Sequence, residues 1–204
     1  MATMGRPRAF DRAQGIDEAM MLFWEHGYDS TSLSQLKAGI GGGITAPSFY
    51  AAFRSKEALF REVVDRYLAT YGRVIDPLYD VSLSPREAIV STLKGSARMQ
   101  CADGHPKGCM IGLGVMSVCA PADVRIREPL YTARARNRAG LHACIERAID
   151  LGDLPAGTAA STLAAVFEGF LLGISTMARD GISIEVIEGA IDRLMAVWDA
   201  QRCD

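Results

Sequence analysis

The chain has 204 residues, which sets an expectation of one or two domains. Apolar residues make up 49% and charged residues 23%, a globular balance that excludes a disordered chain. The 22 basic residues against 24 acidic leave a net charge of -2, so any contact with DNA must come from local placement and not from a global field.

The helical signals run in chain order. Asp11 caps a first helix, with Gln14 in the capping-box position three residues on. Ile16, Ala19, Met20 and Phe23 then recur at helical spacing until Gly27 stops the run. The polar stretch 29–32 introduces a short second helix over 33–39, with Leu33, Leu36 and Ile40 inward. Gly41, Gly42 and Gly43 break it, because three glycines are costly in a helix. Thr45 or Ala46 opens a third helix, which has Pro47 in its first turn and ends near Phe53. Ser55 caps the fourth, over 56–72, whose apolar face is Phe60, Val63, Val64, Tyr67, Leu68 and Tyr71.

Residues 76–83 read as a linker. Ser84, Pro85 and Glu87 then make a strong helix start, and that helix runs to about 102. A tight loop over 103–108 leads into a short apolar helix at 109–119. After Ala120 and Pro121 comes a long charged helix to about 150, and the last two helices cover 158–180 and 183–202. The expected fold is all-α, with about nine helices. Residues 1–55 form an N-terminal helix-turn-helix unit, 56–72 connect, and 73–204 form a larger C-terminal domain. The longest apolar stretch, 162–178, is interrupted by Glu168 and falls short of the roughly 20 residues of a spanning helix, so no membrane partner is expected.

Two short helices joined by a glycine turn suggest a helix-turn-helix. Its second helix must enter the major groove, so its exposed face should be small and polar. Ala46, Ser48, Ala51 and Ala52 meet that demand, while Phe49 and Phe53 pack inward. The Tyr50 hydroxyl and the Lys56 ammonium are placed to meet phosphates, which fix register without reading sequence. Arg6 and Arg8 sit in an arm that can reach the minor groove or the backbone. With Thr31, Ser32, Thr45 and Pro47, these residues make the candidate DNA-binding set.

At these positions the chain resembles the tetracycline-repressor (TetR) family of transcriptional regulators. Gly27-Tyr28, Thr31-Ser32-Leu33, the run Phe49-Tyr50-Ala51-Ala52-Phe53 and the run Ser55-Lys56-Glu57-Ala58-Leu59 carry the resemblance, which covers about residues 8–72. It implies a homodimer that binds a palindromic DNA operator as a repressor. It also implies a C-terminal domain that binds a small-molecule effector and dimerises through its last two helices. One departure is the turn from Gly39 through Thr45, about two residues longer than the family's usual turn, which is expected to affect docking.

Two apolar stripes at the C-terminus are expected to meet the partner subunit: Leu163, Val166, Phe167 and Ile174, then Ile187, Ile191, Leu194 and Trp198. An apolar effector pocket is expected from Tyr67, Tyr71, Met99, Met110, Leu113, Met116, Phe170 and Met177, because methionine adapts its shape. Five cysteines (Cys101, Cys109, Cys119, Cys144 and Cys203) are an odd number and read as reduced thiols in a cytoplasmic protein. Cys101, His105 and Cys109 give Cys-x3-His-x3-Cys with Asp103 nearby, too few ligands for a convincing metal site, so no metal is expected. A thiol- or metal-responsive regulator of the same fold is the alternative. No phosphate loop, dinucleotide fingerprint or nucleophile elbow is present, so neither an enzyme nor a cofactor is expected. The rival from another class is a small helical enzyme or carrier without DNA.

Overall fold

The computed structural model describes residues 10–117 and 124–201, all-helical over that range. Arg6, Arg8, Cys119 and Cys203 lie outside the described residues, as does the side chain of Met116. Nine α-helices are described: α1 (Arg12–Ser30), α2 (Leu33–Gly39), α3 (Ala46–Phe53), α4 (Lys56–Ala69), α5 (Pro85–Cys101), α6 (Met110–Ser117), α7 (Val124–Asp150), α8 (Ala160–Arg179) and α9 (Ile184–Asp199).

Polar caps start many of these helices. Asp11 accepts from the Ala13 and Gln14 amides, Thr45 from Ser48 and Ser55 from Ala58. Ser32 with Gln35, and Ser84 with Glu87, close reciprocal capping boxes. The Gln14 side chain does not complete a box with Asp11. Its amide donates to Glu18 at 2.9 Å. The stretch read as a linker at 76–83 starts inside a 3-10 helix, Tyr71–Tyr79, that packs Ile75 and Leu78 into the interior. The α1 ladder is interrupted at Gly27, with φ 78 and ψ 170.

Two buried clusters hold the molecule. One joins α5, α7, α8 and α9 around Leu93, Leu141, Phe167, Ile191 and Trp198. The other packs α1 to α4 around Phe23, Leu36, Phe49, Phe53 and Val63, and also takes in Met110 and Ile111 of α6 and Ile126 and Leu130 of α7. The small core of a three-helix unit is thereby enlarged by residues more than 50 positions downstream. Trp24 lies where the two parts meet: its ring stacks on His105 with centroids 4.5 Å apart, and its Nε1 donates to Gly108 O at 3.0 Å.

By length and composition α8, at 20 residues, is long and apolar enough to cross a membrane, contrary to the expectation from its sequence. Its Leu163, Phe167, Leu171 and Ile174 are enclosed by the protein's own core, which makes it a core helix of the bundle.

Candidate functional site

The reading head is built on cross-braces. Arg66 of α4 forms a two-pronged ion pair with Asp17 of α1 at 2.7 and 2.8 Å. Arg12 donates to Ala52 O at 3.0 Å and to Glu62 at 2.6 Å, which ties the start of α1 to the end of α3 and to α4. Phe49 and Phe53 anchor α3 from below, at 0% and 1% exposure. Burying each is worth about 1.5–3 kcal/mol.

The long turn between α2 and α3 is closed. Gly41, Gly42 and Gly43 all take positive φ (62, 74 and 109), a path that side chains with a Cβ rarely follow. The Gly41 amide donates to Glu18 of α1 at 2.6 Å, and the Ile44 amide donates to Lys37 O at 2.8 Å. Tied at both ends, the turn presents α3 with Thr45, Pro47, Ser48 and Tyr50 exposed. Tyr50 is 49% exposed.

A cavity of about 60 Å³ lies between α4, α5, α6, α7 and α8. Tyr67, Met99, Cys109, Ile111 and Leu171 supply apolar walls, and Ser96, Gln100, Arg134, Glu168 and Ser175 add polar ones. Tyr67 donates its hydroxyl to the Cys109 sulfur at 3.3 Å, and the Gly112 amide donates to the same sulfur at 3.4 Å. Burial, and then the neighbouring Cys109, push the Tyr67 hydroxyl well above its ordinary range, so it stays a donor. Gln100 is fixed by donating to Ser96 at 2.7 Å.

The family model described as bacterial regulatory proteins, tetR family, matches residues 16–63. The chain is 30% identical over 195 residues to the HTH-type transcriptional repressor ComR of Escherichia coli K12, covering 95% of this chain and 91% of that one. The chain belongs to the tetR family of bacterial regulatory proteins. The HTH-type transcriptional repressor BdcR of the same organism is 38% identical over 116 residues, 55% of this chain and 56% of that one. The solved structure of a cysteine mutant of the TetR family transcriptional regulator CifR, complexed with 26-bp double-strand operator DNA, matches with a TM-score of 0.84 at 34% identity. That match covers 95% of this chain and 100% of that one. As a tetR-family member the chain is a DNA-binding transcriptional regulator and not an enzyme.

Within this tetR-family head, Ser32, Thr45, Pro47, Ser48 and Tyr50 are exposed and Ala46 is half-buried. Thr31 is different: it is 0% exposed, and its hydroxyl donates to Gly27 O at 2.6 Å. It splints the break in α1 and is not on the surface, because the hydroxyl is consumed by the interrupted ladder. Lys56 lies with its ammonium 4.2 Å from the centre of the Tyr28 ring, a cation–π contact.

Six of the eight residues expected to meet the partner subunit face the protomer's own core instead. Leu163, Phe167, Ile174, Ile187, Ile191 and Trp198 are 0–4% exposed inside the protomer. Each helix buries its most apolar stripe in its own bundle first. The face left outward on α8 and α9 carries Val166 (40% exposed), Val186 (61%) and Val197 (40%), with Leu194 half-buried. Gly169, Gly173 and Gly189 stand among them, and a Cβ added at any of the three would meet nothing within 4 Å.

The expected pocket residues do not converge. Tyr67 and Met99 line the cavity, Tyr71 lies in a shallow recess beside Met99, and Met110 and Leu113 line a groove with Trp24 and Arg179. Phe170 and Met177 pack against the C-terminal core. Sequence reasoning missed Gln100, Arg134 and Ser175. The available signal was polar residues at helical spacing within buried faces, as with Ser96 and Gln100 on α5.

Among the described residues no group of three His, Cys, Asp or Glu side chains is placed to hold a metal ion. His105 instead faces Pro106 O through Nδ1 at 2.9 Å. Burial pushes the Cys101 and Cys144 thiols up from their ordinary value, which disfavours the reactive thiolate.

Proposed function

We propose that the chain is a cytoplasmic repressor that grips a palindromic operator as a homodimer and lets go when a small molecule occupies the cavity between α4 and α8. The observation that carries this reading is the closed glycine turn, which holds α3 with Thr45, Pro47, Ser48 and Tyr50 facing out on a braced head. Such a helix suits the major groove, with Tyr50 and Lys56 toward the backbone. The partner subunit would pack on the outward face of α8 and α9. There the open glycines let two helix backbones approach and the valines supply apolar area.

Binding of duplex DNA from upstream of the chain's own gene tests the reading. Affinity should fall steeply with salt, and Lys56→Ala should lower the slope of log K against log salt by about one. Val186→Glu combined with Val197→Glu should give folded monomers in sedimentation and weaken operator binding. A dimer that survives both changes would put the interface elsewhere, and salt-independent binding would sink the regulator mechanism.

A further inference from the structure

Three polar atoms in and around the cavity are buried without a hydrogen-bond partner: Gln100 Oε1 on α5, Arg134 Nε on α7 and Ser175 Oγ on α8. Gln100 and Ser175 are each 1% exposed, and all three residues line the same space. Buried groups of this kind are ordinarily satisfied, so three on three helices around one cavity give it a polar hydrogen-bonding capacity that an occupant can use. Their chemistry is complementary and specific. Gln100 Oε1 accepts only, and its orientation is fixed because its amide nitrogen is already committed to Ser96. Arg134 Nε donates only, and the Ser175 hydroxyl does either.

The charge at the wall points the same way. Glu168 is held by both prongs of Arg138, at 2.8 and 3.0 Å. Arg136 lies 3.9 Å from Asp76. No acid pairs with Arg134 among the described residues, so the wall carries an unbalanced cation. The cavity volume of about 60 Å³ restricts the occupant to a few heavy atoms.

We propose that this cavity takes a small hydroxylated carboxylate, whose hydroxyl donates to Gln100 Oε1 and whose carboxylate accepts from Arg134 Nε and the Ser175 hydroxyl. The inference rests on the reading of this cavity as the effector site. It replaces the apolar effector expected from sequence by a polar one, held in apolar walls that make each hydrogen bond count.

A matched three-carbon set tests it on the full-length dimer: lactate carries both groups, propionate lacks the hydroxyl, and propylene glycol lacks the carboxylate. Lactate at about 100 times its Kd should raise the melting temperature by about 5–10 °C and release operator DNA. Propionate and propylene glycol should each bind at least about tenfold more weakly, the loss of one hydrogen bond to a buried partner. Gln100→Leu and Ser175→Ala should abolish the lactate response. Unliganded melting should hold or rise in Ser175→Ala, which replaces an orphaned hydroxyl with an apolar group, and should fall by no more than a few degrees in Gln100→Leu, which also gives up the bond to Ser96. Propionate matching lactate would remove Gln100 from recognition, and propylene glycol matching it would remove Arg134; either overturns the proposal. So does a lactate response that survives both variants, or no response to lactate. Operator binding without any ligand is measured in parallel. Its loss would overturn the regulator mechanism, whereas intact binding with no lactate response overturns this inference alone. Lactate binding that leaves the operator bound supports the site and overturns its effector role.

Discussion

Arg179, the last residue of α8, spans the boundary between the two parts of the molecule. Its Nη2 donates to Trp24 O at 2.8 Å, its Nη1 to Glu25 O at 3.5 Å and its Nε to Lys107 O at 3.0 Å. The first two carbonyls precede the break at Gly27, so they stand at what is in effect a helix C-terminus, the negative end of the dipole. One guanidinium therefore ties α1 of the reading head to the loop before α6 and to α8, one turn beyond Ser175 of the cavity. A hydrogen bond with a charged partner contributes about 1.5–3 kcal/mol when enclosed, and Arg179 is largely exposed, so the set is discounted to about 2 kcal/mol. For a domain of this size that predicts a fall of about 4–8 °C in melting temperature for Arg179→Ala. Arg179→Lys should fall between, since an ammonium cannot span three carbonyls in one plane. Amide exchange should rise around residues 24–31 while α9 keeps its protection, and effector-driven operator release should weaken. A melting temperature within about 1 °C of the parent, with unchanged exchange at 24–31, would refute the bridge as a structural tie.

Gly108→Ala should cost about 2–3 kcal/mol in urea unfolding, because φ is +84 and the added Cβ would lie 2.9 Å from Ser175 O and 2.7 Å from Leu113; a cost below about 0.5 kcal/mol would show that the backbone relaxes freely there. Glu18→Ala should lower stability by less than about 1 kcal/mol yet weaken operator binding several-fold, by freeing the Gly41 amide and with it the turn. Full operator affinity in that variant would make the tie irrelevant to docking. Thr31→Val should lower stability by about 1–2 kcal/mol and leave the salt slope of DNA binding unchanged, since the lost hydroxyl serves Gly27 O and no phosphate. A shallower slope would return Thr31 to the DNA face.

The head was legible because its signals are local. Caps at Ser32, Thr45 and Ser55 act within four residues, and the glycine run can be read as a turn on backbone grounds alone. What lay beyond reach depends on which partner a surface meets. The α8 stripe of Leu163, Phe167 and Ile174 is equally apolar whether it faces a second subunit or α5, and periodicity does not distinguish the two. The faces actually left outward, rich in glycine and valine, look weak by hydrophobicity. The cavity failed for a related reason. Adaptability singles out methionines in a sequence, but the polar atoms that define the space come from α5, α7 and α8, and their convergence has no sequence spacing to reveal it. The 3-10 helix at Tyr71–Tyr79 was hidden by Pro77, which reads as a breaker until Ile75 and Leu78 are seen packed inward.

The shared core around Phe23, Phe49, Met110, Ile126 and Leu130 bears on how the molecule can be cut. A fragment ending near residue 72 would strip α6 and the first turns of α7 from the head and lay bare the undersides of Phe60, Val64 and Tyr67. The head is therefore not a portable cassette. A chimera that grafts it onto another sensor must carry residues 109–133 with it, or else find a sensor whose sixth helix presents the same knobs. Exchange between such regulators should succeed by borrowing the outer bundle, α8 and α9, rather than by joining at the connecting helix.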